Sequence, residues 1–152
     1  MHHVVLIADG KTQTVNTDKQ EDTSVRRDLI YVESLYWIAL CIYFEARGEP
    51  IEGQIAVAHV IMNRALKRNM SVKEIILQPK QFSWTHDGIP DDVKNHAAFI
   101  ECMHSALIAR SERLDGKNLK FADHYHADSV DPYWNRGMKK VTKIGHHIFY
   151  RA

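Results

Sequence analysis

The sequence predicts a mainly α fold that ends in a small β-hairpin, an α+β arrangement. Three observations carry that prediction. Apolar residues recur at helical spacing in adjoining runs around 33–44 and 51–68. Caps and breakers punctuate the helical part: Gly48 with Pro50, a Ser71/Glu74 capping box, Pro79 and Gly116. Beyond Gly116 the texture changes to short runs, Leu119 to His126 and Val141 to Tyr150, separated by Asp131-Pro132-Tyr133-Trp134-Asn135-Arg136-Gly137.

The elements follow in order. Residues 9 to 28 are polar and charged without apolar periodicity, so residues 1–28 are expected to be a flexible N-terminal segment and 29–152 the compact domain. A first helix, about Glu33 to Phe44, places Leu35, Ile38, Ala39, Ile42 and Tyr43 on one face. Gly48 is expected as its left-handed cap and Pro50 in the first turn of the next helix. That second helix, Ile51 to Arg68, carries Ile55, Ala56, Ala58, His59, Met62 and Leu66. The capping box opens a short helix that stops before Pro79. Residues 79 to 90 form a loop, and a long helix from about Asp91 to Arg113 follows, with acidic residues in its first turn.

A chain of 152 residues can bury one core, and 45% hydrophobic with 26% charged residues is ordinary for a globular domain. The net charge of +1 argues against nucleic acid or an anionic membrane surface as partner. Cys41 and Cys102 lie in apolar helical contexts and read as buried free thiols. No apolar run approaches a bilayer span, so no membrane insertion is expected. Met1 to Ala8 lacks a basic n-region and is interrupted by Asp9 and Gly10, which does not describe a secretory signal.

The chemistry centres on Tyr43-Phe44-Glu45-Ala46-Arg47-Gly48-Glu49-Pro50. A glutamate among aromatic residues at a helix end is placed to have a raised pKa and to donate a proton near neutral pH. On residue chemistry alone the plainer reading is favoured: a solvated helix-end glutamate paired with Arg47. Glu49 and Glu52 are the neighbouring carboxylates. Neither has a clear role, and Glu52 is explained by the helix dipole.

Glu45-Ala46-Arg47-Gly48-Glu49-Pro50, then Glu52-Gly53-Gln54, Ala56-Val57-Ala58 and Asn63-Arg64, resembles the cell-wall hydrolase family typified by the spore cortex-lytic enzyme SleB. Gln81-Phe82-Ser83 is similar to that family's Q-F-S loop. The resemblance covers about residues 33 to 151. It implies a lysozyme-like fold and cleavage of peptidoglycan glycan strands between N-acetylmuramic acid and N-acetylglucosamine. Members of the family are lytic transglycosylases that leave a 1,6-anhydro sugar and need no cofactor. By this resemblance Glu45 is the single catalytic acid/base. The chain departs from the family's often Tyr-rich C-terminal pattern at His124-Tyr125-His126.

Sugar faces stack on aromatic rings, so Trp84 and Tyr125 are expected platforms, with Trp134 as another and Trp37 in the core. Phe82 suits a core anchor or a cleft wall equally. Gln81 and Ser83 can hydrogen-bond N-acetyl or hydroxyl groups, and His124 and His126 are expected to line the sugar cleft. An H-x-H pair on a strand, with His146 or His147, is also a possible zinc site, which makes a zinc-dependent N-acetylmuramoyl-L-alanine amidase the alternative. No HExxH or Cys pair supports it, and the site is read without metal. A water-using muramidase is the other alternative. His59 reads as a core histidine. Without a recognisable signal, a phage- or prophage-type lysis enzyme is one setting, and a bacterial wall-remodelling enzyme exported by another route is the other.

Overall fold

A computed structural model of the chain describes the backbone of residues 3–8, 11–114 and 116–152, and the side chains of 23–113 and 116–152. The chain divides into two units, Met1–Glu33 and Ser34–Ala152. In the first, β1 (His3–Ala8) pairs antiparallel with β2 (Lys11–Asn16). Val4, Val5 and Ile7 lie opposite Val15, Thr14 and Thr12, β-branched types that suit a ladder. Regular structure therefore occupies residues where the sequence suggested none. The flexibility expected for 1–28 falls partly on residues 1, 2, 9 and 10, which lie outside the described residues.

Helix α1 runs Thr17–Ala46, starting well before Glu33. No glycine or proline interrupts residues 17–46, so nothing local stops the helix. Its segment Thr23–Ala46 is long and apolar enough to cross a membrane by length and composition, contrary to the expectation that no run is. The C-terminal part of that segment is core: Leu35, Ile38, Ala39 and Ile42 are buried.

In the second unit α1 is followed by α2 (Ile51–Arg68), α3 (Val72–Leu77) and α4 (His96–Leu114). The α2 bounds match the sequence reading, but Gly48 is not a left-handed cap. The α1–α2 turn closes instead through Glu49 N–H to the Ala46 carbonyl at 2.9 Å, with Pro50 as N-cap of α2. The left-handed cap is Asn69, at the far end of α2. The Ser71/Glu74 capping box forms in both directions. Helix α4 starts five residues later than Asp91 because Asn95 caps it. Its side chain accepts the Ala98 N–H at 3.0 Å, and its own N–H is held by the Tyr43 hydroxyl at 3.0 Å.

The C-terminal part is a three-stranded antiparallel sheet in the order β3 (His124–Ala127), β5 (His147–Arg151), β4 (Lys139–Ile144). The single strand expected over 141–150 is a hairpin instead. Gly145, at φ +54, supplies the left-handed turn that a β-branched residue would resist. Leu119–Phe121 is not strand but a single turn with φ of 52°, 51° and 62°.

Helix α2 is the centre of the packing. It is buried almost continuously from Gly53 to Arg64 and packs on α3, α4 and β3. Its own Val57, Val60 and Ile61 are fully buried, as are Ile38, Ile42, Ile75, Ile76 and Phe149 of other elements. Each such side chain is worth about 1.5–3 kcal/mol relative to exposure. Both cysteines are buried and free, as expected.

Candidate active site

Glu45 sits in the last turn of α1, partly buried, and Tyr125 of β3 donates its hydroxyl to Glu45 Oε2 at 2.9 Å. Burial raises the Glu45 pKa above the usual carboxylate value; the Tyr125 hydrogen bond and the Arg64 charge oppose that rise. The helix-end pairing with Arg47 is not what the fold makes. Arg47 lies over the Tyr43 ring, 4.7 Å from its centroid. Burial, the Glu45 carboxylate and buried Cys41 push the Tyr125 hydroxyl well above the ordinary phenol value, so it stays a donor.

The turn that follows Glu45 is held from three directions. Buried Gln54 donates to the Arg47 and Glu49 carbonyls, both at 3.4 Å, and accepts from Ser105 of α4 at 2.7 Å. Glu49 reaches across to the β4–β5 turn, where its Oε2 accepts the His146 N–H at 3.0 Å. Two residues of the Glu45–Gln54 motif thus fix the backbone that presents Glu45. Their role is positional.

Asn63 and Arg64 do the same for β3. One Asn63 amide donates to the Asn118 and Ala122 carbonyls, each at 2.9 Å, clamping both ends of the left-handed turn 119–121. The Arg64 Nε donates to the Asp123 carbonyl at 2.6 Å and its Nη1 to Gln81 Oε1 at 3.3 Å. The Asp123 carboxylate is buried, and burial by itself would raise its pKa. Lys67 at 2.8 Å, His124 Nδ1 at 2.9 Å and the Ala152 N–H at 2.9 Å prevail and bring it down to about 2. Tyr125 is therefore delivered to Glu45 by a strand anchored on both sides of it.

Beside Tyr125 opens a cleft of about 390 Å³. Arg64 and Arg68 of α2, Lys80 and Gln81 of the loop after α3, and His124, Tyr125 and Trp134 from the C-terminal part line it. Glu45 is not itself in the lining; it reaches the cleft through the Tyr125 hydroxyl. The fold thus brings Gln81, His124, Tyr125 and Trp134 together in one cleft.

Trp84, Phe82 and His126 do not belong with them. Trp84 is 7% exposed and stacked on Phe44 at 4.8 Å, so its faces are taken by the core. Phe82 is buried beneath Arg64, which lies 5.8 Å from its centroid. Ser83 is exposed at the start of a single helical turn and does not line the cleft. His126 is buried, stacked on Tyr150 at 5.3 Å and hydrogen-bonded to its hydroxyl at 3.0 Å.

Both histidines of the H-x-H pair lie against Trp134, as strand alternation requires, but they do not converge with a third ligand. His147 packs on Tyr125 at 5.0 Å, on the other face of the sheet, and His146 is exposed beside Asp128. Among the described residues no group of three His, Cys, Asp or Glu side chains is arranged to hold a metal ion. His59 is a core histidine, paired with Glu112 at 3.1 Å. The sequence reading missed Arg64, Asp123 and Lys67 as parts of the site. Asn63-Arg64 closed the motif, which was the available signal.

The mainly helical domain with its small three-stranded antiparallel sheet has a lysozyme-like class of fold. The cell wall hydrolase family model matches residues 48–150, and the chain belongs to that family. It is 32% identical over 117 residues to the spore cortex-lytic enzyme of Bacillus subtilis and 30% identical over 116 residues to that of Oceanobacillus iheyensis. These alignments take in 74% of this chain but only 35% and 39% of the relatives. The catalytic domain of the germination-specific lytic transglycosylase SleB from Bacillus anthracis superposes with a TM-score of 0.61 at 28% identity, covering 78% of this chain and 93% of that domain. The Bacillus cereus SleB catalytic domain gives 0.62 at 29% identity, covering 78% and 89%. The family match begins three residues after Glu45 and does not include it.

Proposed function

We propose that the chain is a lytic transglycosylase that cuts the N-acetylmuramic acid to N-acetylglucosamine bond of peptidoglycan, with Glu45 as its one catalytic acid/base. The catalytic domain is the compact region, 29–152 by the sequence reading. The observation that carries the proposal is the 2.9 Å hydrogen bond from Tyr125 to a glutamate whose pKa burial raises. Membership of the cell wall hydrolase family and the likeness to SleB catalytic domains support it.

In this reading protonated Glu45 gives its proton to the glycosidic oxygen as the bond to the muramoyl anomeric carbon breaks. The amino sugar leaves as an alcohol and the muramoyl ring carries the positive charge. The Glu45 carboxylate then takes the proton of the muramoyl 6-hydroxyl while that oxygen closes on the anomeric carbon. A 1,6-anhydro ring forms, no water is consumed, and Glu45 is protonated again. Tyr125 and the nearby Arg64 charge favour the carboxylate during the interval in which it is ionised. A single carboxylate suffices. The neighbouring ones have other work: Glu49 holds the His146 N–H, and Asp123 is tied to Lys67 and His124.

The partner is the glycan strand, and the place of action is the wall, outside the cytoplasm. No cofactor enters the scheme. The test is digestion of purified peptidoglycan with mass analysis of the fragments. Anhydromuramic ends are expected, and Glu45→Gln should lower the rate at least about a hundredfold, the usual scale for a general acid. Reducing muramic ends would make it a water-using muramidase, and free stem peptides an amidase. Activity that survives Glu45→Gln would overturn the assignment.

A further inference from the structure

The cleft carries more positive charge than an uncharged sugar chain requires. Arg64, Arg68 and Lys80 line it, and no aspartate or glutamate does. Arg64 is accounted for, since it is buried and committed to the Asp123 carbonyl and Gln81. Arg68 and Lys80 are not. Both are exposed. Arg68 donates to the neutral side chain of Gln78. Neither makes an ion pair among the described residues, although Lys67, one residue from Arg68, has found Asp123. Lys80 stands at φ +61, a left-handed conformation that is uncommon for a non-glycine residue, and in it the residue borders the cleft.

N-acetylglucosamine is neutral, and so is the lactyl carboxyl of N-acetylmuramic acid while the stem peptide is joined to it as an amide. In peptidoglycan the negative charge resides in the carboxylates of the stem peptide, which hangs from the muramoyl lactyl group next to the scissile bond. We infer that Arg68 and Lys80 bind a stem-peptide carboxylate, so that the enzyme's substrate is the peptide-bearing strand rather than the peptide-free one. The cations and Tyr125 line one cleft, which puts the peptide-reading groups beside the residue that contacts Glu45. The inference rests on the glycan-cleaving reading above and names its substrate class.

Two comparisons test it separately from that reading. Binding to the Glu45→Gln protein is measured by titration calorimetry for a disaccharide-tripeptide and for the disaccharide with its lactyl carboxyl capped as a methylamide, which removes the charge the bare sugar carries there. Cleavage of native strands is compared, with the unmodified protein, with cleavage of strands stripped of peptide by an amidase, whose newly exposed lactyl carboxylates are then capped as methylamides. Tighter binding and higher kcat/KM are expected for the peptide-bearing ligand. Arg68→Gln with Lys80→Gln, both at exposed positions, should reduce that preference about three- to tenfold, the scale of two exposed charge contacts. Added salt should erode it as well. Equal binding of the two disaccharides, or a preference untouched by the double substitution, overturns the inference. Cleavage of neither strand overturns the proposed reaction, while the binding comparison still decides the inference.

Discussion

Replacing Asp123 by Asn tests the anchor behind the cleft. The carboxylate joins α2 through Lys67, β3 through His124 and the chain end through the Ala152 N–H, and the residue is 3% exposed. Its pKa falls from the usual 3.8 to about 2 in the folded protein. At 1.36 kcal/mol per tenfold change in proton affinity, that drop corresponds to about 2.5 kcal/mol of stability from the ionised group. The sign follows from the direction. The folded-state pKa is depressed, so the contribution is complete above about pH 4 and is lost as pH falls toward 2. Asp123→Asn should cost about 2–3 kcal/mol at pH 6 in urea unfolding. The gap to the unmodified protein should then close progressively below pH 4. Other carboxylates titrate identically in both proteins, so the difference between the two curves isolates Asp123. A gap that is absent at pH 6, or that stays constant down to pH 2, would refute the anchoring role.

The other expectations concern the site and its supports. Tyr125→Phe removes a contact that lowers the Glu45 pKa, so the alkaline limb of the pH–kcat/KM profile should move to higher pH; an unmoved limb would separate Tyr125 from Glu45. Asn63→Ala frees the Asn118 and Ala122 carbonyls and should cost about 2–3 kcal/mol by urea unfolding, since both bonds hold a turn of three left-handed residues. Gly145→Ala should cost about 1–2 kcal/mol, because φ is +54° there and a Cβ would displace the Glu49 carboxylate. Gly48→Ala should lie within about 0.5 kcal/mol of neutral by the same assay, because the residue is not left-handed and a Cβ meets nothing within 4 Å.

Local rules carried the sequence reading where the responsible residues were neighbours. The bounds of α2, the Ser71/Glu74 capping box and the two buried thiols each follow from spacing of a few residues. They failed where a distant group intervened. The start of α4 depends on Asn95 and on Tyr43, 52 residues earlier. The hairpin within 141–150 depends on one glycine torsion, and its docking depends on Glu49, 97 residues before His146.

The catalytic candidate divides in the same way. Glu45 was legible because helix, acid and turn are contiguous in the chain, and because the motif around them is long. The sequence also marked Gln81 and Tyr125, which the fold places in one cleft. Tertiary structure alone decided that Trp84 and His126 are packing residues. Ring faces are either covered or free according to what folds onto them, as Phe44 does onto Trp84 and Tyr150 onto His126. It also decided what raises the Glu45 pKa and what opposes that rise. Burial depends on the whole core, and the opposing Tyr125 and Arg64 lie 80 and 19 residues away along the chain. Proton affinity is set by desolvation and neighbouring charge in space, which no local pattern encodes.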